Sequence, residues 1–369
     1  MRPKGLKGHD RELLASQPAW DCQISDYPVG WYFARFSEDL KRGQVVPVEF
    51  MSHQFALFRG ESDEIAMIES QCCHMGADLS RCGTVDGDNL VCGYHAWEFG
   101  LDGQCKDIPL MDRIPATARQ NVVPVTERAG NIWFWYGPNP PEPLRNIDCF
   151  DDPKRFTNIK GEVNVGRSGP LPIIEHISDL SHFRHNHKAA GSLKYSIMVN
   201  EGNLFEFVLR PEAEGSSGNI QRMFRPFAFV EMVGPCSGIY RTQRDATVDR
   251  ETPLLSVILG ATPIREDLTI FSWRVGVRKI RPRWLMWPLN LLLGRIMWWT
   301  IYKNNHQDLE VLKWMKPPEK TLWVRPDGKS VREFRNFYER NIIRNWRFRD
   351  AWDESKGQDL AVVARRPSE

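Results

Sequence analysis

The chain has 369 residues, 41% hydrophobic and 26% charged, with a formal net charge of +2. That length accommodates two domains of ordinary size, and a near-neutral balance gives no sign of a nucleic-acid partner. The 8 cysteines are too sparse for a disulfide-built scaffold; several stand beside histidines, which points to metal binding in a reducing, cytoplasmic compartment.

Residues 1–17 are charged and lack an apolar core, so no signal peptide is expected, and 1–25 read as a polar lead-in with a short helix. From Gly30 the pattern turns to β. An aromatic run at 31–36 precedes strands at 45–50 and 55–59 around a tight turn at Ser52-His53, then a strand at 65–68. Asp86-Gly87 and Asp102-Gly103 are hairpin dipeptides, and 131–136 is a strongly apolar strand. The expectation is an all-β domain over 26–137. The proline-rich run at 137–143 marks a boundary, and 138–369 with 1–25 form the second domain. There, extended segments are expected at 157–165, 193–200, 204–210, 227–233, 238–244, 254–261 and 268–277. A helical stretch of three or four turns lies among them, and helices at about 287–314 and 331–343 close the chain. The fold class is α+β, with an antiparallel sheet carrying helices on one side.

The stretch 284–302 has about the length of a membrane span, but Pro288, Asn290 and Arg295 interrupt it. It reads as a buried or pocket-lining helix, with membrane-surface contact through Trp298 and Trp299 as the alternative. Arg332, Arg335, Arg340, Arg344, Arg347 and Arg349 read as a solvated basic face, with docking of an acidic ferredoxin as the alternative.

Two clusters carry chemistry. The first is Cys72-x-His74 and, further on, Cys92-x-x-His95. Structural zinc sites with this ligand set usually pair like with like. Here each arm holds one cysteine and one histidine, as in a [2Fe-2S] cluster with one iron on thiolates and the other on imidazoles. Cys73, Cys82 and Cys105 read as bystanders. The second cluster is residues 173–188, with 4 of the chain's 9 histidines and the spacing Asp179-x2-His182-x4-His187. Two imidazoles and a carboxylate suit non-haem Fe(II) with open positions for oxygen and substrate. On a continuous helix, residues five apart point about 140° apart. His182 and His187 therefore converge only if the helix ends or distorts; His185, three residues from His182, is the rival. Asp308 and Glu310 are the candidates for the carboxylate. Asp179 shares a helical face with His182 and could accept a hydrogen bond from its ring.

These motifs in this order resemble the Rieske non-haem iron oxygenases, specifically their catalytic α subunits. The later Gln307-Asp308-Leu309-Glu310 and Trp314 resemble the branch that includes 3-ketosteroid 9α-hydroxylases, cholesterol 7-desaturase-like enzymes and aminopyrrolnitrin oxygenase. The chain departs from the family where Cys73 and Gly93 replace a common proline and Ala96 a common glycine. The resemblance implies a Rieske domain plus a helix-grip catalytic domain, a homotrimer, and electrons from NAD(P)H through a ferredoxin or flavin reductase. It implies a [2Fe-2S] cluster on Cys72, His74, Cys92 and His95, and Fe(II) on His182, His187 and Asp308. Asp179 would then be the inter-subunit electron bridge, between His95 of one chain and His182 of the next, with Glu175 in support. O2 would be the co-substrate, and an apolar polycyclic or steroid-like small molecule would be hydroxylated, desaturated or N-oxidised. Its pocket would draw on 205–209, 227–232 and 284–299. A Rieske electron-transfer protein without oxygenase activity is the alternative.

Overall fold

The computed structural model describes residues 26–348 apart from 146, 188–192, 212–226, 244–252, 313, 316–319 and 325–327. The lead-in at 1–25 and Arg349 lie outside the described residues. Packing divides the chain into two compact units, one containing Phe33–Glu142 and the other Pro143–Arg344.

The strands β1 (Gly30–Phe36), β2 (Gln44–Phe50), β3 (His53–Arg59), β4 (Ile65–Glu69), β5 (Thr84–Asp86), β6 (Asn89–Val91), β7 (Glu98–Phe99), β8 (Cys105–Asp107), β9 (Val122–Val123), β10 (Val125–Arg128) and β11 (Asn131–Tyr136) follow the expected β pattern. Among the described residues they form sheets ordered β1-β11-β10, β2-β3-β4-β9 and β5-β6-β7-β8. The two dipeptides do turn hairpins, with Gly87 and Gly103 at φ of 55° and 72°. The β2–β3 turn falls on Met51 and Ser52, one residue earlier than expected. Both have positive φ, 49° and 63°, the geometry of a two-residue primed turn.

The second unit holds β12 (Phe156–Gly166), β13 (Leu193–Glu201), β14 (Leu204–Pro211), β15 (Phe227–Gly234), β16 (Ser237–Gln243), β17 (Leu255–Arg265) and β18 (Leu268–Arg278). They form a 7-stranded antiparallel sheet in the order β12-β18-β17-β16-β15-β14-β13. Between β12 and β13 the chain makes α1 (Pro170–Glu175), a 3-10 turn (His176–Ser178) and α2 (Leu180–His185). The single helix expected here is therefore broken. Ser178 Oγ donates to the Glu175 carbonyl at 2.8 Å, and Asp179 is extended at φ −82°, ψ 110°. A side chain bonded back to the preceding turn competes with helix continuation.

After β18 come α3 (Arg283–Leu312) and α4 (Gly328–Arg340). α3 packs on β12 and β18. α4 presents Phe334 and Phe337 to Phe205 of β14, with Phe205 and Phe337 stacked at 5.1 Å. Phe205 is thus core, not the pocket wall it was expected to be.

Candidate metal centres

Two loops of the first unit are folded alike. In one, Cys72 N donates to Ala77 O at 2.9 Å and Gly76 N to Cys72 O at 2.8 Å. In the other, Cys92 N donates to Trp97 O at 2.8 Å and Ala96 N to Cys92 O at 2.9 Å. Each turns back on a residue of positive φ, Gly76 at 75° and Ala96 at 56°. Glycine is relaxed there, whereas an L side chain costs about 1–2 kcal/mol. Gly93 is needed for space, because a Cβ would stand 2.1 Å from the Cys82 carbonyl oxygen.

This shared shape sorts the four donors. Cys72 and Cys92 are buried in one apolar cluster with Phe58, Ile68, Leu79, Leu90 and Phe99. His74 and His95 are exposed, their rings 4.6 Å apart. Trp97 stacks on His74 at 4.4 Å, and Tyr94 lies 3.8 Å from His95. Sulfur donors thus face the core and nitrogen donors face solvent, which fits a cluster with one iron on each pair. Cys73 and Cys82 are exposed, while the buried Cys105 donates its thiol to Asp107 O at 3.3 Å.

Gln120 was not foreseen. Its buried side chain accepts from Cys73 N at 2.8 Å through Oε1. Its Nε2 donates to both Glu69 O and Gln71 O at 2.9 Å. One carboxamide thus fastens the end of β4 to the Cys72 loop. It lies 47 residues from Cys73, and no local pattern marks it.

The second centre begins at Asp179, the N-cap of α2. Its Oδ1 accepts from Ser181 N at 2.9 Å and His182 N at 3.4 Å. The expected bond from the His182 ring to this carboxylate is replaced by one to the main chain. His182 Nδ1 donates to the Asp179 carbonyl at 2.5 Å, because the extended Asp179 no longer shares a helical face with His182. A carbonyl can only accept, so Nδ1 carries the proton and Nε2 offers a lone pair. That Nε2 is buried without a partner.

α2 ends at His185, and Asn186 and His187 turn back toward α3. His187 Nε2 lies 3.1 Å from Asp308 Oδ2. Asn186 Nδ2 donates to Asp308 Oδ1 at 2.6 Å, and Gln307 Oε1 is 3.4 Å from His187 Nδ1. The donor atoms of His182, His187 and Asp308 all lie within 4.8 Å of one another. His185 and Glu310 are exposed and outside this group. Two imidazoles, a carboxylate and an orphaned buried Nε2 fit a non-haem Fe(II) donor set.

Without metal, electrostatics favour the ligating forms of His182 and Asp308, while the ion pair with Asp308 favours a proton on His187 that a metal would displace. Burial, with repulsion from His176, lowers the His182 imidazole to about 4, so it is neutral at physiological pH. Burial works against a charge on His187, yet the hydrogen bond and charge of Asp308 outweigh it and raise this imidazole. Burial likewise opposes the Asp308 carboxylate, but its bond to His187 and the nearby imidazoles of His176 and His182 prevail and lower it. His176 places Nε2 3.9 Å from Asp308 Oδ2.

Glu175 does not support Asp179. Its two oxygens accept from Arg335 Nε and Nη2 at 2.7 and 2.8 Å. Arg340 is bonded to Asn200 and to the carbonyls of Gly202 and Leu204. Two members of the expected basic face are therefore engaged within their own unit. A cleft of about 260 Å³ opens beside His187, lined by Asn186, Trp299, Lys303, Asn304 and Gln307 among others.

Residues 30–120 match the Rieske [2Fe-2S] domain. The fold is that of dicamba monooxygenase bound to dicamba, with TM-score 0.68 and 19% identity over 87% of this chain and 98% of that one. The chain therefore carries a Rieske domain and shares its overall fold with that monooxygenase. The oxygenase component of 3-ketosteroid-9-alpha-monooxygenase from Mycobacterium tuberculosis is 26% identical over 335 residues, 86% of this chain and 82% of its own. Cholesterol 7-desaturase nvd 1 from Ciona intestinalis is 33% identical over 164 residues, 44% of this chain and 35% of its own. Together these similarities are to oxygenase components of Rieske-type monooxygenases.

Proposed function

We propose that the chain is the oxygenase component of a Rieske-type, O2-dependent monooxygenase and works as a homotrimer on an apolar polycyclic or steroid-like small molecule, binding Fe(II) through His182, His187 and Asp308. Cys72, His74, Cys92 and His95 hold the [2Fe-2S] cluster. Electrons come from NAD(P)H through a ferredoxin or flavin reductase. Once bound, Fe(II) together with O2 supplies the oxidising chemistry. The chain supplies position and charge. The Asp179 carbonyl fixes the His182 tautomer, Asn186 orients the Asp308 carboxylate, and Gln307 steadies His187. Asp179, at the head of α2, is the residue at which His95 of a neighbouring copy meets this site.

The observation that carries the reading is the convergence of His182, His187 and Asp308 beside an open cleft. The steroid-like class rests on similarity to the steroid oxygenase components. Chemical analysis of the purified protein is expected to give about three irons and two sulfides per chain. With a reductase, NADH and labelled oxygen, a 3-ketosteroid is expected to gain one labelled hydroxyl; the product mass separates hydroxylation from desaturation or N-oxidation. Two irons per chain and no oxidised product would leave an electron carrier instead.

A further inference from the structure

The first half of α3 exposes large apolar residues where a helix on a protein core would expose polar ones. Its inward stripe is Asn290, Gly294 and Trp298. Asn290 bonds back to Ile280 N and O at 2.7 and 3.1 Å. Gly294 sits against Ile159, where a Cβ would be 3.0 Å from its Cδ1, and Trp298 packs on Trp273 with centroids 5.5 Å apart. Exposed along this half are Trp284, Trp287, Leu291, Leu292 and Ile296, with Trp287 on the first turn beyond the packed part of the stripe. Trp284 is 79% and Trp287 64% exposed. The sequence-based expectation of a buried or pocket-lining helix fails for this half, because Asn290 and Gly294 take the inward positions. A contiguous exposed apolar face of this kind marks a binding surface.

The charges around it choose the occupant. From Leu268 to Gln307 the chain holds no aspartate or glutamate, while Arg281, Arg283 and Arg295 are exposed around the tryptophans. Tryptophan and leucine on one side of a helix, flanked by arginine and without acids, suit the headgroup boundary of an anionic bilayer. No helix among the described residues is long and apolar enough to cross a membrane. Contact with the surface is the mode that remains for this helix.

We propose that the N-terminal half of α3 docks the chain on an anionic phospholipid surface. Trp284, Trp287, Leu291 and Leu292 enter the headgroup layer, and Arg281, Arg283 and Arg295 meet lipid phosphates. The same helix continues through Trp299 and Lys303 into the wall of the cleft beside His187. Docking thus brings the mouth of the site toward the phase in which an apolar small molecule dissolves. The docking itself does not depend on which substrate is used.

The test is co-sedimentation of the full-length, metal-loaded protein with vesicles. Phosphatidylcholine mixed with phosphatidylglycerol is compared with phosphatidylcholine alone. The protein is expected to pellet with the anionic vesicles, to bind neutral ones about tenfold more weakly, and to be released by salt. Brominated acyl chains are expected to quench its tryptophan fluorescence without any substitution. The combined change Trp284→Ser, Trp287→Ser, Leu291→Ser, all at exposed positions, is expected to abolish pelleting while iron content and sedimentation coefficient stay unchanged. Native protein that remains in the supernatant at low salt would overturn the proposal. So would pelleting by the variant equal to the native protein's, or a smaller sedimentation coefficient in the variant, which would assign the face to contact between copies of this chain.

Discussion

The two metal-binding regions are built on opposite plans. The cluster region repeats one loop twice, each closed by the same pair of main-chain hydrogen bonds and each carrying one cysteine and one histidine. The pairing of like donors follows from that repetition, since both cysteines face the core and both histidines face solvent. The second region has no repetition. It depends on a helix that breaks at Asp179, restarts, and stops at His185, so that His187 can swing toward a carboxylate on another helix. The first plan holds its centre by turn chemistry within a short span. The second holds it by contacts across 122 residues, as between Asn186 and Asp308. Damage to the second centre should therefore remove its metal without touching the cluster, whereas the cluster should be sensitive to whatever fixes its loops.

The sharpest test is Asp308→Ala. It removes the only carboxylate of the triad, and iron is expected to fall from about three to about two per chain, with product formation abolished. The visible and EPR spectra of the cluster should be unchanged; a mutant that keeps its third iron would show that the carboxylate comes from elsewhere. Next is Asp179→Asn. Asparagine caps a helix as well as aspartate does, so both metals and the melting temperature should be retained. If the carboxylate charge serves transfer between copies, single-turnover oxidation of the reduced cluster should slow about 10–100-fold. Unchanged kinetics would confine Asp179 to its capping role.

Gln120→Leu probes the cluster plan from outside its motif. It leaves Cys73 N–H and the carbonyls of Glu69 and Gln71 without their partner, at a cost of about 1–3 kcal/mol for each group that stays unmet. The melting temperature should drop and the cluster be lost faster, with the mononuclear site spared. The smallest effect is expected at Ala96→Gly. It relieves the positive φ of 56° and should stabilise the first unit by about 1 kcal/mol, read as a higher melting temperature with an unaltered cluster spectrum. Gly93→Ala, in the same loop, should instead destabilise it, because the new Cβ meets the Cys82 carbonyl.

Much of the scaffold was legible because its cues are local. Alternating apolar residues located the strands, and Asp-Gly pairs located two hairpins, since only a few residue types adopt the turn's positive φ without strain. Even there the β2–β3 turn was misread by one position, because Met51 and Ser52 occupy left-handed conformations without a glycine to announce them.

Taken by itself, the sequence determined the donor types and their spacing, Cys72-x-His74 with Cys92-x-x-His95 and His182 with His187. It also placed Asp308 on the helix after the sheet. Tertiary structure decided what those spacings leave open. It put His187 rather than His185 beside Asp308, gave the His182 ring a main-chain partner in place of the Asp179 carboxylate, and drew His176 toward the site. It bound Gln120 to the Cys72 loop and Glu175 to Arg335, and it turned the tryptophans of α3 outward. The physical reason is the same in each case. Spacing along a chain fixes neighbours only while the backbone is regular, and these residues meet across breaks, turns and separate elements, where packing alone selects the partner.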